Sequence, residues 1–288
     1  MKYIVGIDLG GTKIAGVLTD KNGRILAEKT IPTEADKGPK HVIGNIVMLA
    51  SELKKKAERG TWSVGVGVPG PIIYEKGIVV NPPNLPGWKK VNLKQILEKK
   101  LKTKVKIDND AKCAALAELK FGAGVGYKDF IYVTLSTGIG GGIIIDGKIY
   151  RGANGAAGEV GHIPVDKNGP VCGCGMPGDL EAVGSGRAFK PDPITVANAA
   201  KKGESWAQEE IDRVSQNIGL GFAGLVNILN PELIIVGGGL SNMGDLLLKP
   251  IRKYVAQFAL PLPASTVKIV KAKLGTKAGV IGAAALCI

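Results

Sequence analysis

"GIDLGGTKIAGVLTDKNGR", residues 6–24, and "VTLSTGIGGGIIIDGKI", residues 133–149, share one plan. Each has an apolar strand, a tip of glycine and small polar residues, and a second apolar strand ending in a hairpin turn. Glycine puts no Cβ at such a tip, so backbone N–H groups can approach an anion. Two copies of the plan imply two related α/β domains, and domains facing each other would bring both tips to one cleft.

The segments between and after these copies alternate in the same way. From Pro39 to about Glu58 the apolar residues Val42, Ile43, Ile46, Val47, Leu49, Ala50 and Leu53 recur at helical spacing. "WSVGVGVPGP" predicts a buried strand, "IIYEKGIVV" a hairpin and "NPPNLPGW" a structured loop. Asn92 is placed to cap a helix through Leu101, "KVKID" reads as a strand, and a helix is expected over about 110–121. Downstream come a long helix over 205–229, the buried strand "ELIIVGGGL" and the helix "GDLLLKPIRKYVAQF". The strand "TVKIVKA" and a closing small-residue helix, "KAGVIGAAALCI", complete the chain.

A length of 288 residues suits two compact domains, and 45% apolar residues with 42 glycines describe a globular protein rich in turns. No run approaches about 18 apolar residues, and Tyr3 already belongs to a strand with no charged leader before it. A cytoplasmic protein without a membrane partner is expected. The net charge of +13 is mainly lysine, six of the 38 basic residues being arginine, and only 5% of the chain is aromatic. Lysines spread beside glutamates describe a solvated surface that favours polyanionic substrates, and no nucleic-acid partner is expected. Four cysteines are too few for a disulfide scaffold, and Cys113 and Cys287 read as small core residues.

Three tips are candidates for nucleotide phosphates. Asp8, Gly10, Gly11, Thr12 and Lys13 form the first, with Asp8 placed to face a magnesium ion. Thr137 and Gly138, in "STGIGGG", form the second, and Gly238 and Gly239 after "ELIIV" would let a nucleotide lie against backbone. "GVGVPG", residues 65–70, matches G-x-G-x-x-G by accident, because Pro69 and Pro71 stand where a helix should begin. The chain contains no G-x-x-x-x-G-K-[ST] motif. In "IDNDA", residues 107–111, Asp108 or Asp110 is either a helix N-cap or, for Asp110, a base that takes a proton from a substrate hydroxyl.

Taken in order, "GIDLGGTKI", "VPGP", "NLPGW", "DNDA", "STGIGGGII", "GEVGHIPV", "CGCGMPGDLEA", "SGRA", "NPELIIVGGG" and "GAAAL" resemble the ROK family of sugar kinases. The resemblance covers essentially the whole chain. It implies an α/β fold of two actin-like (ribonuclease H-like) domains with an interdomain cleft. Residues 1–108 with 275–288 would form the small domain, and 109–274 the large one, with a cysteine-containing loop at 162–181. It also implies Asp110 as catalytic base, and Gly70, Asn84, Asn109, Asp110, Glu159, His162 and Glu181 around the sugar. ATP and magnesium are the implied cofactors, a hexose the implied substrate, and a homodimer or homotetramer the implied assembly.

Members of that family commonly hold a structural zinc with one histidine and three cysteines, in a pattern resembling C-x-C-G-x-x-G-C-x-E. Here Cys172 and Cys174 are present and Asp179 stands in the third thiolate's place. Carboxylate oxygen binds zinc at about 2.0 to 2.2 Å, so His162, Cys172, Cys174 and Asp179 form a chemically reasonable set of lower affinity. The alternative is a loop held by packing and hydrogen bonds, with Asp179 capping the turn before "LEA". The expected activity is transfer of the γ-phosphoryl group of ATP to the 6-hydroxyl of glucose or a related hexose. The alternatives are a kinase for an N-acetylated amino sugar, polyphosphate as donor, and a sugar-sensing repressor without its DNA-binding segment.

Overall fold

Strand β1 (Lys2–Leu9) buries Tyr3, Ile4, Val5, Ile7 and Leu9, so both faces are covered and the strand must sit inside a sheet. The computed structural model, which describes residues 2–58 and 60–288, places it there. β2 (Lys13–Thr19) returns antiparallel to it, and β3 (Ile25–Pro32) runs antiparallel to β2 at the more exposed edge. α1 (Pro39–Lys54) buries Val42, Ile43, Ile46, Leu49, Ala50 and Leu53. It stops short of the expected Glu58 because Lys54, Lys55 and Lys56 bring no apolar side chain to bury.

β4 (Thr61–Val68) pairs parallel with β1, and β8 (Val105–Asn109) parallel with β4. Between them β5 (Ile72–Ile73), β6 (Ile78–Val80) and β7 (Lys90–Asn92) make a small antiparallel sheet. α2 (Leu93–Leu101) follows, its Asn92 cap accepting from the Gln95 N–H at 3.2 Å. α3 (Asp110–Phe121) starts directly at the end of β8.

The second half repeats this order. β9 (Phe130–Leu135) and β10 (Ile139–Ile145) are antiparallel, β11 (Lys148–Tyr150) is the edge, and β12 (Leu233–Gly237) runs parallel to β9. Between β11 and β12 lie α4 (Leu180–Gly184), α5 (Pro193–Lys201) and α6 (Ser205–Leu229). α7 (Asp245–Phe258), α8 (Pro261–Thr266), β13 (Lys268–Lys271) and α9 (Ala278–Ala285) complete the chain. The two five-stranded sheets have orders β3-β2-β1-β4-β8 and β11-β10-β9-β12-β13, so the recurrence seen in the sequence is a recurrence of topology. Cys113 and Cys287 are buried core residues.

The chain divides into two compact units. One comprises residues through Gly122, Ile149–Ala157 and Thr276–Ile288; the other comprises Ala123–Lys148 and Gly158–Gly275. The division after Gly122 keeps α3 in the first unit because α3 packs against α9. Gly282 lies so close to Cys113 that a Cβ there would overlap the Cys113 carbonyl. Gly65 is held as tightly against the Ala283 carbonyl. Among the described residues no helix is long and apolar enough to cross a membrane.

Candidate active site

In the first unit, the turn between β1 and β2 is closed by Gly10 N–H donating to the Lys13 carbonyl at 3.0 Å. Thr33 holds it from the side, its hydroxyl on the Gly10 carbonyl at 2.7 Å and its N–H on the Thr12 carbonyl at 2.9 Å. The Gly10 amide is thereby spent on the turn, leaving Gly11 and Thr12 as the tip's outward residues. A Cβ on Gly11 would come 2.7 Å from the Asn84 Cβ, so the absent side chain lets the "NLPGW" loop close on the tip.

Asp8 ends β1 beside this turn. Burial pushes its carboxyl up from 3.8 to about 6, against the pull of Lys13. Gly279, in the first turn of α9, makes room for it: a Cβ there would lie 2.5 Å from Asp8 Oδ2. In the sequence Gly279 carries no mark of this role, being one more small residue of "KAGVIGAAALCI".

At the β8–α3 junction the cap is Asn109, not Asp108 or Asp110. Asn109 Oδ1 accepts from the Ala111 and Lys112 N–H groups at 3.0 and 3.2 Å, and its Nδ2 donates to the Gly70 carbonyl at 3.4 Å. Asp110 is the first residue of α3, and its Oδ1 accepts from the Ala111 N–H at 2.8 Å. Gly70 has φ +80°, a turn that brings it against Pro82 and Pro83. Gly70, Asn109 and Asp110 accordingly share one corner.

Asp108 does something the sequence did not suggest. Only 2% exposed, it accepts from Arg151 Nε and Nη2 at 3.0 and 2.8 Å. The guanidinium also lies over the Tyr74 ring, 3.9 Å from its centroid.

In the second unit, the tip at the β9–β10 turn is closed by Ser136 N–H on the Gly138 carbonyl at 2.9 Å. Glu181 Oε2 accepts from the Ile139 N–H at 2.7 Å, and only a glycine at 138 leaves room for that carboxylate. Gly238, at φ +79°, packs on the Leu135 carbonyl. Thr137 and Gly239 both line a cavity of about 660 Å³, with Arg187, Asn198, Lys201 and Asn242 on its wall. Two of the predicted tips therefore open on one space of a nucleotide's scale. Arg187 lies in the "SGRA" motif, whereas Asn198, Lys201 and Asn242 are lone surface types in the sequence, without a pattern that singles them out.

Glu159 and His162 share one turn, the His162 N–H donating to the Glu159 carbonyl at 3.1 Å. His162 Nδ1 faces Asp179 Oδ2 at 2.8 Å and the Cys172 sulfur at 4.0 Å, and the Cys174 thiol reaches Asp179 Oδ2 at 3.5 Å. One ligand atom from each of these four residues lies within 4.8 Å of the others. That spacing and the N, S, S, O donor set fit a tetrahedral zinc site. Asp179 is fully buried: Oδ1 caps α4 on the Ala182 N–H at 2.8 Å while Oδ2 faces the cluster. Burial pushes the Cys172 thiol up to about 12 among protein groups alone, and a bound cation would reverse that. The Cys172 thiol also donates to Glu181 Oε1 at 3.5 Å, so this loop and the β9–β10 tip hold the same carboxylate.

The ROK family model matches residues 4–288. A glucokinase of Thermotoga maritima is 36% identical, the match covering 98% of this chain and 96% of that protein. The crystal structure of a ROK hexokinase from Thermus thermophilus is 34% identical with a TM-score of 0.86, covering 98% of this chain and 97% of that one. That of a ROK family glucokinase from Streptomyces griseus in complex with glucose and AMPPNP is 34% identical with a TM-score of 0.83, covering 99% and 98%. With its duplicated sheet order, its glycine tips and this full-length match, the chain belongs to the ROK family.

Proposed function

We propose that this chain is an ATP- and magnesium-dependent hexose kinase that transfers the γ-phosphoryl group to the 6-hydroxyl of glucose or a related hexose. Its full-length similarity to glucokinases supports the activity. The observation that carries the mechanism is Asp110, a carboxylate on the first residue of a helix whose cap, Asn109, is bonded to the Gly70 turn.

Asp110 accepts the proton of the sugar hydroxyl as its oxygen attacks the γ-phosphorus. The bond from that phosphorus to the bridging oxygen breaks, leaving ADP and the sugar 6-phosphate. Magnesium, when bound, neutralises charge on the phosphates, and Asp8 is the carboxylate to face it. Gly10 shapes the first tip, and Gly11, Thr12 and Lys13 meet phosphate there. Thr137, Gly138, Gly238 and Gly239 hold the nucleotide. Gly70, Asn84, Asn109, Glu159, His162 and Glu181 take the sugar, with the two glutamates accepting from its hydroxyls. Zinc on His162, Cys172, Cys174 and Asp179 would cross-link the loop that carries His162 and Glu181. We place the protein in the cytoplasm as a homodimer or homotetramer, which light scattering tests through its mass.

The test of the activity is ADP release with ATP and magnesium across glucose, mannose, fructose, glucosamine, N-acetylglucosamine and N-acetylmannosamine. Turnover is expected on glucose above the N-acetylated sugars. The reverse order would make the protein an amino-sugar kinase, and silence on all six would overturn the proposal.

A further inference from the structure

The segment 150–157 grips the strand-to-helix junction of Asp110 from both sides. Two residues before Asp110, the buried Asp108 takes two hydrogen bonds from Arg151, while its Oδ1 accepts from the Asn109 N–H at 2.9 Å. Two residues after Asp110, Lys112 is only 3% exposed, and its Nζ donates to the Gly155 carbonyl at 2.7 Å. A lysine and an aspartate are buried at this cost only when each is partnered, and here the partners come from one short segment.

That segment has a defined shape. Gly155 has φ +91° and sits against the Ile72 carbonyl and Tyr74, and the Arg151 guanidinium stacks on the Tyr74 ring. Arg151 and Gly155 are therefore anchored on the β5 end of the small sheet as well as on the junction. A general base must meet its proton within a few tenths of an ångström, and a displacement of about 1 Å costs on the order of a hundredfold in rate. The hydrogen bonds of Asp108, Asn109 and Lys112 remove that freedom at three of the five residues 108–112.

We propose that Arg151 and Lys112 are positioning residues for the phosphoryl transfer, clamping segment 150–157 onto the β8–α3 junction and so fixing the Asp110 carboxylate. The clamp rests on Asp110 being the base. Neither residue touches sugar or nucleotide in this role, so each acts on turnover and not on the binding of ATP.

The test is a double-mutant cycle on the full chain. Turnover, KM for ATP and for glucose, and melting temperature are measured for Arg151→Met, Lys112→Met and Asp110→Asn, alone and combined. Arg151→Met and Lys112→Met are each expected to lower kcat about 10- to 100-fold with KM for ATP within about twofold. In the Asp110→Asn background the same changes should lower the residual rate by less than about twofold, since there is no base left to position. A merely structural role would lower the rate by the same factor in both backgrounds, and that result overturns the inference. Should Arg151→Met fail to fold, Arg151→Lys keeps the cation without the two-nitrogen grip, and it and Lys112→Met carry the cycle. Wild-type turnover in Arg151→Met beside an inactive Asp110→Asn would sink the clamp alone, whereas wild-type turnover in Asp110→Asn would sink the base and the clamp with it.

Discussion

Replacing Asp8 by asparagine should make the protein more stable and less active. The carboxyl sits at the end of β1 against Gly279, and burial raises it from 3.8 to about 6. An acid with a raised folded pKa holds its proton longer in the native state than in the unfolded chain. Its contribution to stability is therefore intact below about pH 3.8 and is lost as pH rises through about 6. A shift from 3.8 to about 6 corresponds to a cost of at most about 3 kcal/mol for keeping the ionised form at pH 8. Asparagine has nearly the same shape and no charge, so it avoids that cost.

Urea unfolding of wild type and Asp8→Asn without nucleotide, at pH 4 and pH 8, measures the difference. Near-equal stability at pH 4 and a gain of about 1 to 3 kcal/mol for Asp8→Asn at pH 8 are expected. Phosphoryl transfer should fall on the order of a hundredfold if, as proposed, the Asp8 carboxylate faces the metal and phosphates. A stability difference that does not change with pH would refute the burial argument. Unchanged turnover would refute the functional one.

Three further outcomes follow from named contacts. Zinc content should fall in Cys174→Ala relative to wild type, and equal content would remove the proposed metal site. With a chelator present, Asp179→Ala should unfold about 1 kcal/mol earlier than Asp179→Asn, because only asparagine keeps an acceptor for the Ala182 N–H; identical melting would show that the cap does not matter. Gly65→Ala should cost about 3 kcal/mol or more in chemical unfolding, since its Cβ would meet the Ala283 backbone and no side chain can yield; a change under about 1 kcal/mol would mean that α9 shifts freely.

Periodic segments were legible without coordinates. α3 over Asp110–Phe121 and α6 over Ser205–Leu229 occupy the expected spans, because their apolar spacing and flanking residues are local signals. α5 has no counterpart among the expected helices, although Asp192 is a standard cap and Pro193 a favoured first helical residue. The end of α1 lay short of Glu58 because burial, not propensity, sustained the helix.

The sequence by itself determined the duplicated strand, tip and strand plan, the α/β class and the residue types of the glycine tips. Each depends on neighbours a few positions apart, where backbone sterics and side-chain periodicity act. Only the tertiary structure decided which groups meet across long separations. Asp108 with Arg151, Glu181 with the Ile139 N–H and Gly279 with Asp8 are brought together by packing. A charged residue carries no mark in the chain of the partner that will make its burial tolerable. That partner is selected when the sheets and helices close and water is excluded from both groups at once.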